Sequence, residues 1–264
     1  MYIAVIAGIM LSDTRSLRIQ ELILSFITAY GLCGSSMGFN DYFDREVDKV
    51  NAPWRPIPSG KISEADAIIL SSIIGGLGLA AAAAISPQCF LVAALAFSAA
   101  LIYNARLKKT GFAGNLIVSF VVIIPFIYGA VLADGYISAK LITFILPAYL
   151  SNLGREVIKG ISDVEGDALR DVRSVARVKG RGFAAKLGAV FYLVAVFLSP
   201  LPYLLRLVSW LYLPLVAAAD AGFIWSAYSI IVEPSKENSL KVKNLTLVWM
   251  LIALAAFLVG SLGF

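Results

Sequence analysis

A chain of 264 residues with 59% hydrophobic and 15% charged side chains, and a mean hydropathy of +0.84, is not composed like a soluble domain. Soluble domains have roughly 45–50% apolar and about 25% charged residues; the excess here fits lipid-facing helices, which need no polar outer face. The formal net charge of +5 then bears on membrane topology, not on nucleic acid, and the absence of histidine excludes imidazole metal sites, histidine acid–base catalysis and histidine-ligated haem.

Cys33 and Cys89 stand alone in apolar runs, without metal-ligand or disulfide spacing. Any bound metal must therefore be held by oxygen, which favours Mg²⁺, Mn²⁺ or Ca²⁺.

In chain order, residues 1–11 (MYIAVIAGIML) are too short to cross a bilayer and lack the basic start of a signal peptide. They read as a half-buried helix or as the rest of a first span whose front is lost, and the second reading is favoured. Apolar segments of about 20 residues follow at 20–38, 65–85, 89–106, 114–133, 138–158, 184–204, 207–231 and 244–264. The expectation is an all-α membrane protein with about nine transmembrane helices, the first one short, in a single domain over 1–264.

Polar stretches at 39–64, 159–183 and 232–243, with ARLKK at 105–109, all fall on one side of this arrangement. Of 22 Lys and Arg, only Arg15, Arg18, Lys140 and Arg206 fall on the other. The positive-inside rule puts the long loops in the cytoplasm.

The first long polar run, NDYFDREVDKVNAPWRPIPSGK at 40–61, gathers Asn40, Asp41, Asp44, Glu46 and Asp48. Asn40, Asp44 and Asp48 are spaced i, i+4, i+8, and so are Asp163, Asp167 and Asp171, four expected helices later. This echo suggests a duplicated four-helix unit. On a helix the spacing stacks like charges on one face, which costs roughly 0.2–0.5 kcal/mol per pair. A single stripe reads equally well as solvated loop charge. Two at matching positions beside the membrane point to a bound cation, and carboxylates without His or Cys suit Mg²⁺ bridging to a phosphate.

Arg45, Lys49, Arg55 and Lys61 lie by the first stripe, and Arg155, Lys159, Arg170 and Arg173 by the second. YNARLKK at 103–109 adds Tyr103, Asn104, Lys108 and Lys109. Mg²⁺ with Lys and Arg is what a departing diphosphate requires. The prolines of NAPWRPIPSGK end the first acidic helix in a stiff turn, which reads as a lid or as a plain connector.

These motifs resemble the UbiA superfamily of intramembrane prenyltransferases. NDYFDREVD is similar to its N-x-x-x-D-x-x-x-D motif, DVEGD to its second D-x-x-x-D, and YNARLKK to its Tyr/Lys-bearing stretch. NDYFDREVDKVNAPWRPIPSGKIS and REVIKGISDVEGD look most like the archaeal digeranylgeranylglyceryl phosphate synthases, although Gly160 and Ser162 stand where that branch has acidic residues. The resemblance implies nine transmembrane helices around a central cavity, under a cytoplasmic cap of loops. It implies that Asn40, Asp44, Asp48, Asp163 and Asp167 bind Mg²⁺ and the diphosphate, and that Arg45, Lys108 and Lys159 contact phosphate.

The expected reaction is Mg²⁺-dependent transfer of a geranylgeranyl group to the free hydroxyl of geranylgeranylglyceryl phosphate. Asp44 and Asp167 are central to it. Tyr103 is either a ring that stabilises the allyl cation or an interfacial belt residue. The expected partners are a prenyl diphosphate, a lipid-like acceptor and the bilayer, without nucleic acid or an obligatory protein partner. The cluster Arg170, Arg173, Arg177, Lys179 and Arg181 suits an acceptor that carries its own phosphate, although topology alone also explains it. One rival reading is prenylation of an aromatic acceptor for quinone synthesis. Another is a carrier, for which Asp220, the one carboxylate expected inside a span, would be essential and Asp44 and Asp167 dispensable.

Overall fold

The structure, a computed structural model, describes residues 1–12, 17–169 and 171–262. Arg15 and Arg170 lie outside the described residues. Every regular element among the described residues is helical: α1 (Tyr2–Met10), α2 (Ile19–Asn51), α3 (Glu64–Ile85), α4 (Pro87–Ala105), α5 (Phe112–Asp134), α6 (Ala139–Ser162), α7 (Val164–Leu169), α8 (Val175–Lys179), α9 (Arg181–Leu198), α10 (Leu201–Leu204), α11 (Tyr212–Val232) and α12 (Lys236–Ser261). A 3₁₀ turn, Leu107–Lys109, follows α4.

Helix starts follow local chemistry. Ser63, Ser86, Ser138 and Ser235 each accept a backbone N–H three residues on, at 3.1–3.2 Å, opening α3, α4, α6 and α12. Pro87 occupies the first turn of α4, where its missing N–H costs nothing.

Among the described residues seven helices, counting α9 with α10 as one, are long and apolar enough to cross a membrane: Ile19–Asn51, Glu64–Ile85, Pro87–Ala105, Phe112–Asp134, Arg181–Leu204, Tyr212–Val232 and Lys236–Ser261. They have little apolar periodicity because their outer faces are apolar too; on α3, Ile69, Leu70, Ile73 and Leu77 are all exposed. α6 has 24 residues but carries Asn152, Arg155, Glu156 and Lys159 in its second half, and it is not among the seven.

The chain forms two compact units. The first holds α1 to α4 and the C-terminal part of α5, around Val5, Ala29, Ala82, Cys89, Tyr128 and Leu132. α2 and α3 approach closely because Gly31 and Gly78 face each other; a Cβ on Gly31 would lie 3.0 Å from the Ile74 carbonyl oxygen. Ser35 adds a hydrogen bond to the Ser71 carbonyl at 2.6 Å.

The second unit packs α6, α9, α11 and α12 around Ile158, Ala184, Tyr192, Phe223 and Ile230. Tyr192 and Thr246 share a buried hydroxyl hydrogen bond of 2.8 Å. Arg155 donates to the Lys243 carbonyl at 3.1 Å, tying α6 to α12.

Three expectations are corrected. The first acidic stripe is not set apart from a span ending at residue 38: span and stripe are one helix, α2, unbroken to Asn51. The second stripe does not run along one helix. Asp163 ends α6, Asp167 lies in α7, and Asp171 has a φ of +52°, which turns it out of the ladder. Asp220 is not the sole carboxylate within a span, since Glu21 is 8% exposed in the first turn of α2, where Arg18 holds it.

Candidate active site

Within the first unit, two residues of α2 and a lysine from the 3₁₀ turn after α4 form a polar, charged group. The i, i+4 spacing puts Asn40 and Asp44 on one face of α2. The 3₁₀ turn after α4 brings Lys108 against both: its Nζ donates to Asn40 Oδ1 at 3.3 Å and to Asp44 Oδ2. Asn104 fixes this approach by donating to the Ser36 carbonyl at 3.2 Å. Tyr103, half-buried, sits five positions before Lys108 on α4. One turn beyond Asp44, Asp48 is 8% exposed and accepts from Arg55 at 2.8 Å, and Arg55 also donates to Asp41 at 3.0 Å.

The proline-rich turn therefore folds back onto the acidic face that precedes it. Backbone bonds from Arg55 to Ala52, Ser59 to Arg55, and Lys61 to Pro56, each 3.0 Å, hold it in shape. Arg45 takes another course. It donates to the Tyr42 carbonyl at 2.9 Å, lies 4.4 Å from the Tyr42 ring centroid and pairs with Glu64 at 3.0 Å. It braces α2 against α3 and is not gathered with Asn40, Asp44 and Lys108.

In the second unit, Asp163 closes α6 and accepts from Ser162 Oγ at 2.8 Å. The Asp167 N–H donates to the Asp163 carbonyl at 2.7 Å, so one tight turn carries both carboxylates of the motif. Lys159, one turn earlier, donates to Glu156 at 3.1 Å. Glu156 was not singled out from sequence, yet it collects both Lys159 and Arg155, the latter at 2.9 Å. Its place in REVIK, one after Arg155 and three before Lys159, was the available signal.

Ser162 is consumed by local hydrogen bonds to the Lys159 carbonyl and to Asp163. Gly160 faces Ser174, where a Cβ would make ordinary contact at 3.5 Å. Arg177 pairs with Asp171 at 3.1 Å, and Arg181 with Glu165 at 2.7 Å. The Glu165 carboxyl is held below its usual range by its backbone N–H first, then by Lys236 and Arg181. A depressed carboxylate stabilises above its unfolded pKa, and that contribution is lost as pH falls through the folded value.

The donors suit a hard divalent cation. Among the described residues no group of three or more His, Cys, Asp or Glu converges closely enough to enclose a metal. Mg²⁺ needs no such cage: it is commonly held by one or two carboxylates, waters and a substrate phosphate. The side-chain oxygens of Asn40 and Asp44 already gather a cation, the Lys108 ammonium.

Comparisons with known proteins agree on one family. The sequence profile of the UbiA prenyltransferase family matches residues 1–254. The digeranylgeranylglyceryl phosphate synthase of Archaeoglobus fulgidus is 38% identical over 261 residues, covering 97% of this chain and 89% of the relative. A solved structure of a digeranylgeranylglyceryl phosphate synthase in membranes superposes with a TM-score of 0.89 at 31% identity, over 100% of this chain and 93% of that one. A UbiA homologue from Archaeoglobus fulgidus bound to DMAPP and Mg²⁺ shares the fold, with a TM-score of 0.76 at 17% identity, over 97% of this chain and 94% of that one. The chain is a multi-pass membrane protein and belongs to the UbiA prenyltransferase family.

Proposed function

We propose that this chain transfers a geranylgeranyl group from geranylgeranyl diphosphate to the free hydroxyl of geranylgeranylglyceryl phosphate, forming the second ether bond of archaeal membrane lipids. The observation that carries the reading is the Asn40–Asp44–Lys108 group, a cation held on an acidic helix face, in a chain 38% identical to a digeranylgeranylglyceryl phosphate synthase. The family match over residues 1–254 supports one prenyltransferase domain.

Asn40, Asp44, Asp48, Asp163 and Asp167 are the residues that would hold Mg²⁺. When bound, the ion neutralises diphosphate charge and so assists its departure. Asp48 joins this set only when its salt bridge to Arg55 opens. Lys108 transfers its hydrogen bonds from Asp44 to a diphosphate oxygen, and Lys159 does the same from Glu156. The allylic C–O bond breaks with its electron pair leaving on the diphosphate. The acceptor oxygen bonds the allylic carbon, and its proton passes to a carboxylate or to the departing diphosphate. The Tyr103 ring stabilises the allyl cation, and the apolar helices exclude the water that would otherwise trap it.

With α1 and α6 added to the seven apolar helices, the described residues offer nine helices for the proposed bundle, α1 being too short to cross a bilayer by itself. The excess of Lys and Arg on the side of the acidic motifs supports an active site facing the cytoplasm, in the cell membrane.

The acceptor is tested with purified protein, Mg²⁺ and geranylgeranyl diphosphate, supplied in turn with geranylgeranylglyceryl phosphate and with a hydroxylated aromatic acid. Mass spectrometry should find the doubly prenylated ether lipid from the first alone. A prenylated aromatic product would move the assignment to quinone synthesis.

A further inference from the structure

The second unit contains a cavity of about 620 Å³ whose lining includes neither Asp163 nor Asp167. Two chemistries meet there. Lys109, Arg173 and Lys179 supply three positive charges, and Phe112, Val178, Phe183 and Leu187 supply an apolar wall from the starts of α5 and α9 and from α8.

The charges are available. The one acid in the lining, Asp171, is paired with Arg177 at 3.1 Å. Among the described residues, Lys109, Arg173 and Lys179 have no carboxylate partner, whereas Arg177 and Arg181 of the same basic segment do. Three unpaired cations beside a hydrophobic wall repel one another, and an anion between them relieves that.

The frame is fixed by backbone. The Arg173 N–H donates to the Lys109 carbonyl at 3.1 Å, and the Val172 N–H to the Asp167 carbonyl at 2.8 Å. Gly111, at a φ of +69°, passes so close to Arg173 that a Cβ would overlap its carbonyl. The 3₁₀ turn and the segment after α7 are thereby locked together, with cationic side chains from both on one cavity. The segment that carries Arg173 is also tied directly to Asp167 of the second acidic motif.

We propose that this cavity binds a lipid phosphate, with the phosphate against Lys109, Arg173 and Lys179 and the start of the chain along Phe112, Phe183 and Leu187. A diphosphate alone would leave the apolar wall unused, and a neutral isoprenoid would leave the cations unpaired. The same phosphate chemistry has two sources: the phosphorylated acceptor and an anionic phospholipid of the bilayer. The acceptor assignment rests on the prenyl-transfer reading; lipid-phosphate binding does not.

The test uses the full chain as wild type, as Arg173→Gln/Lys179→Gln, and as Lys186→Gln, an exposed α9 control. Two readouts are made. Steady-state kinetics vary geranylgeranylglyceryl phosphate at saturating geranylgeranyl diphosphate, and then the diphosphate at saturating acceptor. Native mass spectrometry counts retained phosphatidylglycerol after release from vesicles of phosphatidylglycerol and phosphatidylcholine. If the acceptor occupies the cavity, the double variant raises the KM for geranylgeranylglyceryl phosphate by about tenfold or more, while the KM for geranylgeranyl diphosphate is unchanged. If a bilayer lipid occupies it, retained phosphatidylglycerol is lost in the double variant at unchanged acceptor KM. Unchanged values in both readouts, in a variant that elutes as wild type on gel filtration, overturn the proposal. Should the wild type form no ether product, the transfer reading fails, and phosphatidylglycerol retention still decides on the cavity.

Discussion

The Lys108 ammonium donates to the Asp44 carboxylate, joining residues 64 positions apart. It also reaches Asn40 at 3.3 Å, so one lysine from the 3₁₀ turn after α4 bridges two positions of the α2 ladder. The repulsion expected between stacked acids is thus offset by Lys108 at one end and Arg55 at the other. Lys108→Met should lower kcat/KM for the prenyl diphosphate by about 10–100-fold through loss of a charge-assisted phosphate contact. Steady-state kinetics check this, with detergent gel filtration to confirm that the variant is folded.

Asp44→Asn and Asp167→Asn should each lower kcat by about 100-fold or more, since both remove a charged ligand while conserving shape. If both carboxylates act on the same diphosphate, the double variant loses far less than the product of the single losses. Losses that multiply would assign the two carboxylates to separate steps.

Arg55→Ala should destabilise the protein more than it impairs chemistry. It leaves Asp48, 8% exposed, without its guanidinium. Removing one partner of a fully buried pair costs about 3–5 kcal/mol; with Arg55 itself 40% exposed, about 1–2 kcal/mol is expected. Limited proteolysis of the turn at 52–61 should accelerate relative to wild type.

The ladder at Asn40, Asp44 and Asp48 was legible in the sequence because i, i+4 spacing is a property of the helix itself. That the span and the acidic helix are one element was not, because hydropathy falls after residue 38 while the helical hydrogen bonds run on to Asn51. The second ladder looked identical in spacing and differed in structure. Asp163 ends α6, and Asp171 turns to Arg177, an ion pair that no local pattern encodes. The resemblance implies that Arg45 contacts phosphate. Adjacent helical residues point about 100° apart, and in this structure Arg45 turns to Glu64 and Tyr42.

Gly111→Ala should destabilise the second unit by about 1–3 kcal/mol, from a strained positive φ and overlap with the Arg173 carbonyl. Gly60→Ala has a similar φ of +74° but open space around its Cβ, and should cost about 1 kcal/mol. Thermal unfolding in a single detergent compares the two directly.

Asp220 accepts a 2.6 Å hydrogen bond from Ser199 inside the helix bundle. Asp220→Asn should keep prenyl transfer within about twofold of wild type, since an amide oxygen accepts the same bond. A carrier that used this carboxylate would lose its function in that variant.

The most direct measurement supplies purified protein with geranylgeranyl diphosphate and geranylgeranylglyceryl phosphate, with Mg²⁺ or with EDTA, and detects the doubly prenylated ether by mass spectrometry. The account predicts a product that forms with Mg²⁺, disappears with EDTA, and falls by about 100-fold in Asp44→Asn and Asp167→Asn. A product that persists in EDTA, or full activity in both aspartate variants, would contradict it.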